Sequence, residues 1–303
     1  MKKLILLFLA FFLQFSGYCL KPLTSYPWKP CIRGLMYKEY DFRTADNYVL
    51  KAWFYPAQKA LSEDSVKYYL NKKTEIRPYK INSTIKHPTI ILCNGDAANM
   101  SYSSGIANKY CTNGYNVLTF DWRGFGESQT FPIDTNYLVY NEFLLDYDAA
   151  IDFVKTISTV DTTKIGVFGY STGAFLSYAT AFKRKEIKAI VVRGIFTDYK
   201  TTAKHLKELK PDDTYELPDK IDEFSPANTW SQFTKPIFLI VGENDKVTPK
   251  ENSLKILANI HSLVRELWIV KNAEHGGVKG PESIDFPFFI KKTLRFFNEN
   301  LNQ

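Results

Sequence analysis

Several absences in the 303-residue sequence narrow the range of folds and functions. Only four cysteines are present, and loss of Cys19 with an N-terminal leader would leave three, an odd number that excludes a full disulfide framework. The disulfide state of Cys31, Cys93 and Cys111 is left open, and none of them has the CxxC spacing of a metal site. The sequence has no internal repeat and no long basic run with interleaved aromatic residues. Its net charge is +7, and the lysines and arginines are spread among acidic residues along the sequence. We therefore expect an ordinary solvated surface and no nucleic-acid partner.

The residues that are present are typical of an enzyme-sized globular protein. Hydrophobic residues make up 45% of the chain and aromatic residues 16%. A chain of this length buries roughly three quarters of the surface that it exposes when unfolded. Glycine and proline are close to their average usage, which excludes fibrous and low-complexity proteins.

The N-terminus has the pattern of an export signal. Lys2 and Lys3 precede an apolar run over residues 4–15, and the chain then becomes polar just after Cys19. The run is shorter than the ~20 residues that span a bilayer, so we expect a cleaved signal peptide over residues 1–19 and a periplasmic or secreted protein. Lipid attachment at Cys19 is a minority alternative, because Tyr18 is bulky for a lipoprotein signal. A peripheral membrane contact is compatible with either form.

The rest of the chain divides into an N-terminal extension, residues 20–34, and one main domain, residues 35–301. Aromatic and β-branched residues over 35–42 and 48–55 predict an opening β-hairpin. The polar stretch 58–86 is typical of a surface insertion.

From residue 89 onward, short apolar runs alternate with longer segments of helical period. The predicted strands cover 89–93, 116–120, 164–168, 189–195, 237–241 and 265–270, and the predicted helices cover 102–110, 137–157, 174–182, 251–260 and 287–297. This alternation predicts an α/β fold with a mostly parallel central sheet and helices on both faces. The segment 197–230 interrupts the alternation and predicts either a short cap or a longer surface connection.

The strongest chemical signal is the sequence GYSTG at residues 169–173. It follows an apolar strand and opens a helical segment, which is the setting of a strained turn that exposes a nucleophilic serine. A serine hydroxyl needs a neighbouring histidine to take its proton and a carboxylate to orient that histidine. Ser171 is therefore the predicted nucleophile.

The positions of the four histidines and of the acidic residues indicate the partners of Ser171. His275 follows the last apolar strand, so its loop should lie at the same sheet edge as Ser171. The other histidines are predicted at the amino end of a strand, in the cap segment and at a helix end: His87, His205 and His261. Asp245 follows the preceding strand at the same edge and is the predicted acid, with Asp198 as a rival. The chain order Ser171, Asp245, His275 fits this arrangement.

These features resemble the α/β-hydrolase superfamily, in its branch of serine aminopeptidase-like and lysophospholipase-like esterases, lipases, thioesterases and peptidases. The resemblance covers residues 35–301. The sequence DWRGFGES at Asp121–Ser128 is similar to a turn of that branch whose role is mainly structural, so Asp121 is not expected to be catalytic. The loop CNGDAAN at 93–99 stands where relatives carry His-Gly-x, with Asn94 in place of the histidine.

The resemblance implies an α/β-hydrolase fold whose oxyanion hole uses the backbone N–H groups of Asp96 and Thr172. It implies a serine hydrolase without metal or cofactor that cleaves a carboxylic ester, thioester or amide through an acyl-enzyme. The expected partner is a small-molecule acyl ester with a small or medium acyl group. A peptidase, an acyltransferase and a non-catalytic binding protein of the same fold are the alternatives, and the oligomeric state is left open.

Overall fold

The computed structural model describes residues 19–59, 62–72 and 84–301. The predicted signal peptide, apart from its last residue, and part of the predicted surface insertion lie outside the described residues. The described strands are β1 (Lys21–Pro22), β2 (Lys38–Arg43), β3 (Val49–Tyr55), β4 (His87–Cys93), β5 (Ala97–Ala98), β6 (Asn116–Phe120), β7 (Val160–Tyr170), β8 (Ile187–Arg193), β9 (Ile237–Gly242) and β10 (Arg265–Val270). The described α-helices are α1 (Glu63–Lys72), α2 (Ser104–Cys111), α3 (Phe143–Val154), α4 (Thr172–Lys183), α5 (Tyr199–Leu209), α6 (Lys250–Asn259), α7 (Pro281–Ile284) and α8 (Phe286–Leu301).

Eight of the strands form one sheet, in the order β2-β3-β6-β4-β7-β8-β9-β10. The strand β3 is antiparallel to both of its neighbours, and the pairs from β6 to β10 are parallel. Strands β1 and β5 form a separate two-stranded parallel sheet. The predicted N-terminal hairpin and the mostly parallel central sheet are therefore confirmed.

Helices cover both faces of the large sheet, because its strands carry apolar side chains on both sides. In β4, Ile91 packs into one core with residues of α3 and α4. Its neighbours Ile90 and Leu92 pack into the other core with residues of α2 and α8. Burial on both faces explains why these strands are near-continuous apolar runs rather than alternating ones.

Element boundaries differ most from expectation before α3. The predicted helix 137–157 is too long, since α3 begins only at Phe143. Tyr137 forms a bridge with Glu216 and stacks on Tyr140, with 5.0 Å between ring centroids. Both tyrosines lie in a packed loop. Their rings are three residues apart, as on one face of a helix, which explains why the predicted helix starts too early.

The segment between β8 and β9 contains α5 and three short 3₁₀ helices. The Asp198 carboxylate caps α5 by accepting a hydrogen bond from the Thr201 N–H at 2.7 Å. Tyr199 packs against Phe175 and Phe196, with ring centroids 4.3 and 4.9 Å away. Because α5 starts just beyond the carboxyl end of β8, this segment begins at the edge where the candidate site lies. Within the described ranges, no helix has both the length and the apolar character needed to cross a bilayer.

Candidate active site

Ser171 lies at the sharp turn between β7 and α4. Its φ of 55° and ψ of −123° place a non-glycine residue in a strained backbone conformation. A Cβ at Gly169 would lie 2.4 Å from the Ser177 Oγ, and a Cβ at Gly173 would lie 1.9 Å from the Asn94 carbonyl oxygen. The two glycines are therefore required by close packing, which explains why this sequence folds into this turn.

His275 lies in the loop that follows β10. Its Nε2 is 3.0 Å from the Ser171 Oγ. The His275 carbonyl oxygen accepts hydrogen bonds from the Arg193 guanidinium and from the Tyr170 hydroxyl. Arg193 is buried and also forms an ion pair with Glu282 at 2.6 Å. These contacts fix the backbone of the loop and hold the imidazole beside Ser171.

Asp245 follows β9 and lies on the far side of His275 from Ser171. Its Oδ2 is 2.8 Å from the His275 Nδ1, and its Oδ1 accepts the backbone N–H groups of Val247 and Thr248 at 2.9 and 2.8 Å. Burial opposes ionisation, but attraction to His275 and these hydrogen bonds outweigh it and lower the pKa of Asp245. The group is therefore a carboxylate at neutral pH and can stabilise an imidazolium.

The loop after β4 lies against the same turn. A Cβ at Gly95 would be 3.3 Å from the Ser171 Cβ, so this loop passes beside the nucleophile at the residue just before Asp96. Thr172 is the first residue of α4, and an N–H at that position has no acceptor within its own helix. Burial raises the pKa of Asp96 to about 6, although attraction to His275 opposes the shift. The side chain is thus mostly a carboxylate at neutral pH, and the neighbouring His275 favours its ionised form.

The remaining acidic and histidine candidates have other contacts. The Asp198 carboxylate caps α5 through the Thr201 N–H. Asp121 accepts hydrogen bonds from the Tyr26 hydroxyl at 2.7 Å and from the Met100 N–H at 2.6 Å, which ties together neighbouring loops. In the described part of the chain, no hydrogen bond joins the Ser171 hydroxyl to His87, His205 or His261.

Sequence reasoning missed two side chains that support the site. The Thr248 hydroxyl donates to the Asp245 Oδ2 at 2.8 Å and is 3.1 Å from the His275 Nδ1. The Arg193 guanidinium lies 3.7 Å from the centroid of the Tyr170 ring, in addition to its bond to His275. Arg193 could have been noticed in the sequence, because it is a charged residue inside the otherwise apolar stretch 189–195. Nothing in the sequence distinguishes Thr248 from other threonines.

A chain of hydrogen bonds joins the Ser171 hydroxyl, the His275 imidazole and the Asp245 carboxylate. This arrangement allows a proton to pass from the Ser171 Oγ to the His275 Nε2. Among the described residues, no group of three His, Cys, Asp or Glu side chains is placed to hold a metal ion.

Sequence comparison finds one family and several relatives. The model of the prolyl oligopeptidase family matches residues 101–303. The chain is 26% identical over 262 residues to the uncharacterized protein YfhR of Escherichia coli strain K12, covering 81% of this chain and 78% of that protein. It is also 26% identical over 215 residues to the uncharacterized protein Rv2307c of Mycobacterium tuberculosis strain H37Rv, covering 70% of each chain.

Solved structures share the fold. The Pyrococcus furiosus esterase Pf2001 has a TM-score of 0.71 at 19% identity, covering 94% of this chain and 100% of its own. The Pyrococcus horikoshii acylaminoacyl peptidase has a TM-score of 0.65 at 18% identity, covering 88% of this chain and 42% of its own. These likenesses confirm the α/β-hydrolase fold. Because the family match includes about two thirds of the sequence, the chain belongs to the prolyl oligopeptidase family of serine hydrolases, within the α/β-hydrolase superfamily.

Proposed function

We propose that the protein cleaves a carboxylic ester through an acyl-enzyme on Ser171. The observation that carries the proposal is the hydrogen-bonded path from the Ser171 Oγ to the His275 Nε2, at 3.0 Å, and from the His275 Nδ1 to the Asp245 Oδ2, at 2.8 Å. Both distances are within the range in which a general base takes a proton from a hydroxyl group. The order of the contacts supports one role for each residue: Ser171 as nucleophile, His275 as base and Asp245 as orienting acid.

The proposed reaction has two acyl-transfer steps. The Ser171 Oγ attacks the ester carbonyl carbon while its proton passes to the His275 Nε2, and the carbonyl oxygen becomes an oxyanion held by the N–H groups of Asp96 and Thr172. When the carbonyl re-forms, the C–O bond of the ester breaks and the alcohol leaves with the proton from His275. Water then attacks the acyl-enzyme in the same way and releases the acid. Asp245 stabilises the imidazolium in both steps.

An ester is favoured over an amide because an alcohol is the better leaving group and needs less assistance from the site. A peptidase is the second candidate, and it is supported by the family match and by the likeness to the acylaminoacyl peptidase. Thioester hydrolysis, acyl transfer to an alcohol or amine, and binding without turnover are further alternatives. A cap as short as the segment 197–230 is expected to leave the site fairly open. An open site favours small or medium acyl groups.

We further propose that the protein is exported and that Cys19, in a mature chain that retains it, carries no lipid. The Cys19 side chain is buried, and its thiol donates to the Thr214 carbonyl oxygen at 3.2 Å. An acyl-glyceryl group on that sulfur would have to displace this contact. The mass of the mature protein tests the proposal. Cleavage after residue 19 removes Cys19 with the leader, a chain that keeps an unmodified Cys19 has the mass of its residues alone, and a lipidated chain is heavier by its acyl chains.

A matched pair of substrates tests the choice of ester over amide. A 4-nitrophenyl ester and a 4-nitroanilide of the same short acyl group differ only in the bond that breaks. We expect kcat/KM to be far higher for the ester, and turnover of both to disappear in Ser171→Ala. A comparable kcat/KM for the anilide would make the protein a peptidase. Formation of acylated product when an alcohol or amine is added would make it an acyltransferase.

A further inference from the structure

The N-terminal extension is bound to the loop that carries the Asp96 N–H. Residues 20–28 are here called the N-terminal strap, and residues 94–99 the oxyanion loop. The Lys21 N–H donates to the Asp96 carbonyl oxygen at 2.7 Å, within the parallel pairing of β1 with β5. The strap therefore adds a strand to the oxyanion loop and not to the main sheet.

The oxyanion loop includes a non-glycine residue in a strained conformation. Ala98 has a φ of 74°, in the left-handed region that L-residues rarely adopt. The Leu23 N–H donates to the Ala98 carbonyl oxygen at 3.1 Å. The Asn99 Nδ2 donates in return to the carbonyl oxygens of Leu23 and Ser25 at 3.0 and 2.8 Å. The strap thus holds the loop on both sides of its strained residue.

The strap is itself fixed to parts of the protein outside the oxyanion loop. Leu20 is fully buried, and its N–H donates to the Tyr137 carbonyl oxygen at 3.1 Å. The Tyr26 hydroxyl donates to the Asp121 carboxylate at 2.7 Å. Because the strap is anchored near both ends, it can hold the oxyanion loop in one position instead of moving with it.

We propose that the N-terminal strap positions the oxyanion loop so that the Asp96 N–H is aimed at the forming oxyanion. The inference rests on the proposed function, since it assigns the strap a part in that reaction. The strap acts through Asp96 and is a positioning element. Because the bound ester carries no oxyanion, and the oxyanion develops only on the way to the tetrahedral intermediate, a displaced donor lowers kcat and leaves KM nearly unchanged. A leader removed after residue 19 would leave the whole strap in the mature chain.

The test removes one hydrogen-bond donor from the strap. Lys21→Pro lacks the N–H that bonds to Asp96, and Lys21→Ala keeps that N–H and isolates the contribution of the side chain. Thr24→Pro is the matched control, because Thr24 is exposed and no hydrogen bond in the described chain uses its N–H. The measurements are kcat and KM for an aryl ester, the inhibition constant of a trifluoromethyl ketone with the same acyl group, and the melting temperature.

We expect Lys21→Pro to lose about 10- to 100-fold in kcat, which is less than the roughly 100- to 1,000-fold cost of deleting an oxyanion donor. The affinity for the ketone, whose adduct carries an oxyanion, should fall by a similar factor, while KM stays within about twofold. Thr24→Pro should keep its kcat. If Lys21→Pro does not fold, Leu23→Pro removes the second strap bond and is expected to give the same pattern with a smaller loss.

Three results would overturn the inference, and they distinguish its failure from that of the proposed function. A folded Lys21→Pro with the kcat and ketone affinity of the wild type would show that the strap does not position the loop, while the proposed function stands. An equal loss of kcat in Thr24→Pro would have the same meaning. A wild-type protein that turns over no ester would overturn the proposed function and, with it, the role of the strap.

Discussion

Two carboxylates, Asp245 and Asp198, follow neighbouring strands at the same edge of the sheet, and only one of them contacts His275. We predict that Asp245→Asn lowers kcat by about 10³- to 10⁴-fold, because the amide no longer holds the imidazole in the productive tautomer. Asp198→Asn is the control, since asparagine also caps a helix and α5 should persist. Steady-state kinetics of both variants check this prediction, and a larger loss in Asp198→Asn would reverse the assignment.

In the proposed reaction, the N–H of Asp96 binds the oxyanion, so the carboxylate of the same residue is expected near the developing negative charge. Its raised pKa of about 6 means that it is mostly neutral at pH 5 and ionised at pH 8. The carboxylate also attracts the imidazolium of His275, but in the proposed mechanism the oxyanion bonds to the N–H of Asp96 itself, so we expect the oxyanion to be closer. We therefore predict that Asp96→Asn has kcat close to wild type at pH 5 and about fivefold higher at pH 8, roughly 1 kcal/mol.

The ratio of the two kcat values across pH is the measurement for Asp96, because the two proteins differ only in the side chain at position 96. A ratio that does not change between pH 5 and 8 would place the carboxylate away from the oxyanion. A lower kcat for Asp96→Asn at pH 8 would mean that attraction to the imidazolium dominates.

Much of the candidate site can be predicted from local sequence. The glycines around Ser171 indicate a strained turn, and the ends of apolar strands indicate which loops share its edge, so the geometry brings Asp245 and His275 to the places expected. Thr248 and Arg193 could not be assigned roles in this way. Their contacts with the site depend on how side chains of different loops meet, which strand and helix periodicity does not encode.

At the scale of elements, the turn that follows β9 is stiffened by Thr248. This residue is fully buried, and its hydroxyl is the second side-chain group that contacts the Asp245 Oδ2. We predict that Thr248→Val lowers kcat about 10-fold, roughly 1.4 kcal/mol, because the carboxylate loses a donor and can rotate away from His275. Thr248→Ser keeps the hydroxyl and should retain most of the activity. Equal losses in the two variants, measured with the same aryl ester, would assign the effect to packing.

The elements themselves differ in how well sequence predicts them. The central strands are clear because burial on both faces makes them continuous apolar runs. The N-terminal strap is not predictable, since β1 has only two residues and its partner β5 is equally short. The start of α3 is misplaced because Tyr137 and Tyr140 pack in a loop while their spacing imitates a helical face. Short pairings and packed loops depend on tertiary contacts that leave no periodic pattern.

At the scale of the whole molecule, an ion cluster with a buried Arg123–Asp146 pair and an exposed Asp46 joins three separate elements. Arg123, in the turn after β6, contacts Asp146 in α3 at 2.8 Å and Asp46 in the β2–β3 turn at 2.9 Å. The side chains of Arg123 and Asp146 are fully buried. The cluster holds the N-terminal hairpin against the body of the protein, next to the turn that supports the strap.

We predict that Arg123→Met destabilises the fold by about 3–5 kcal/mol, because it leaves the Asp146 carboxylate buried without a cation. Urea unfolding measures the change in the free energy of unfolding. The double variant Arg123→Met with Asp146→Leu removes both charges and should recover much of the loss. If the double variant is no more stable than the single one, lost packing and not the unpaired charge is the cause.

The central claim is that Ser171 is an activated nucleophile, and labelling with a fluorophosphonate probe tests it most directly. The probe reacts with a serine whose proton is taken by a neighbouring base. We predict that the purified mature protein is labelled at Ser171 and that a folded Ser171→Ala is not labelled. A folded wild-type protein that is not labelled would contradict the claim and would favour a binding protein of hydrolase fold without turnover.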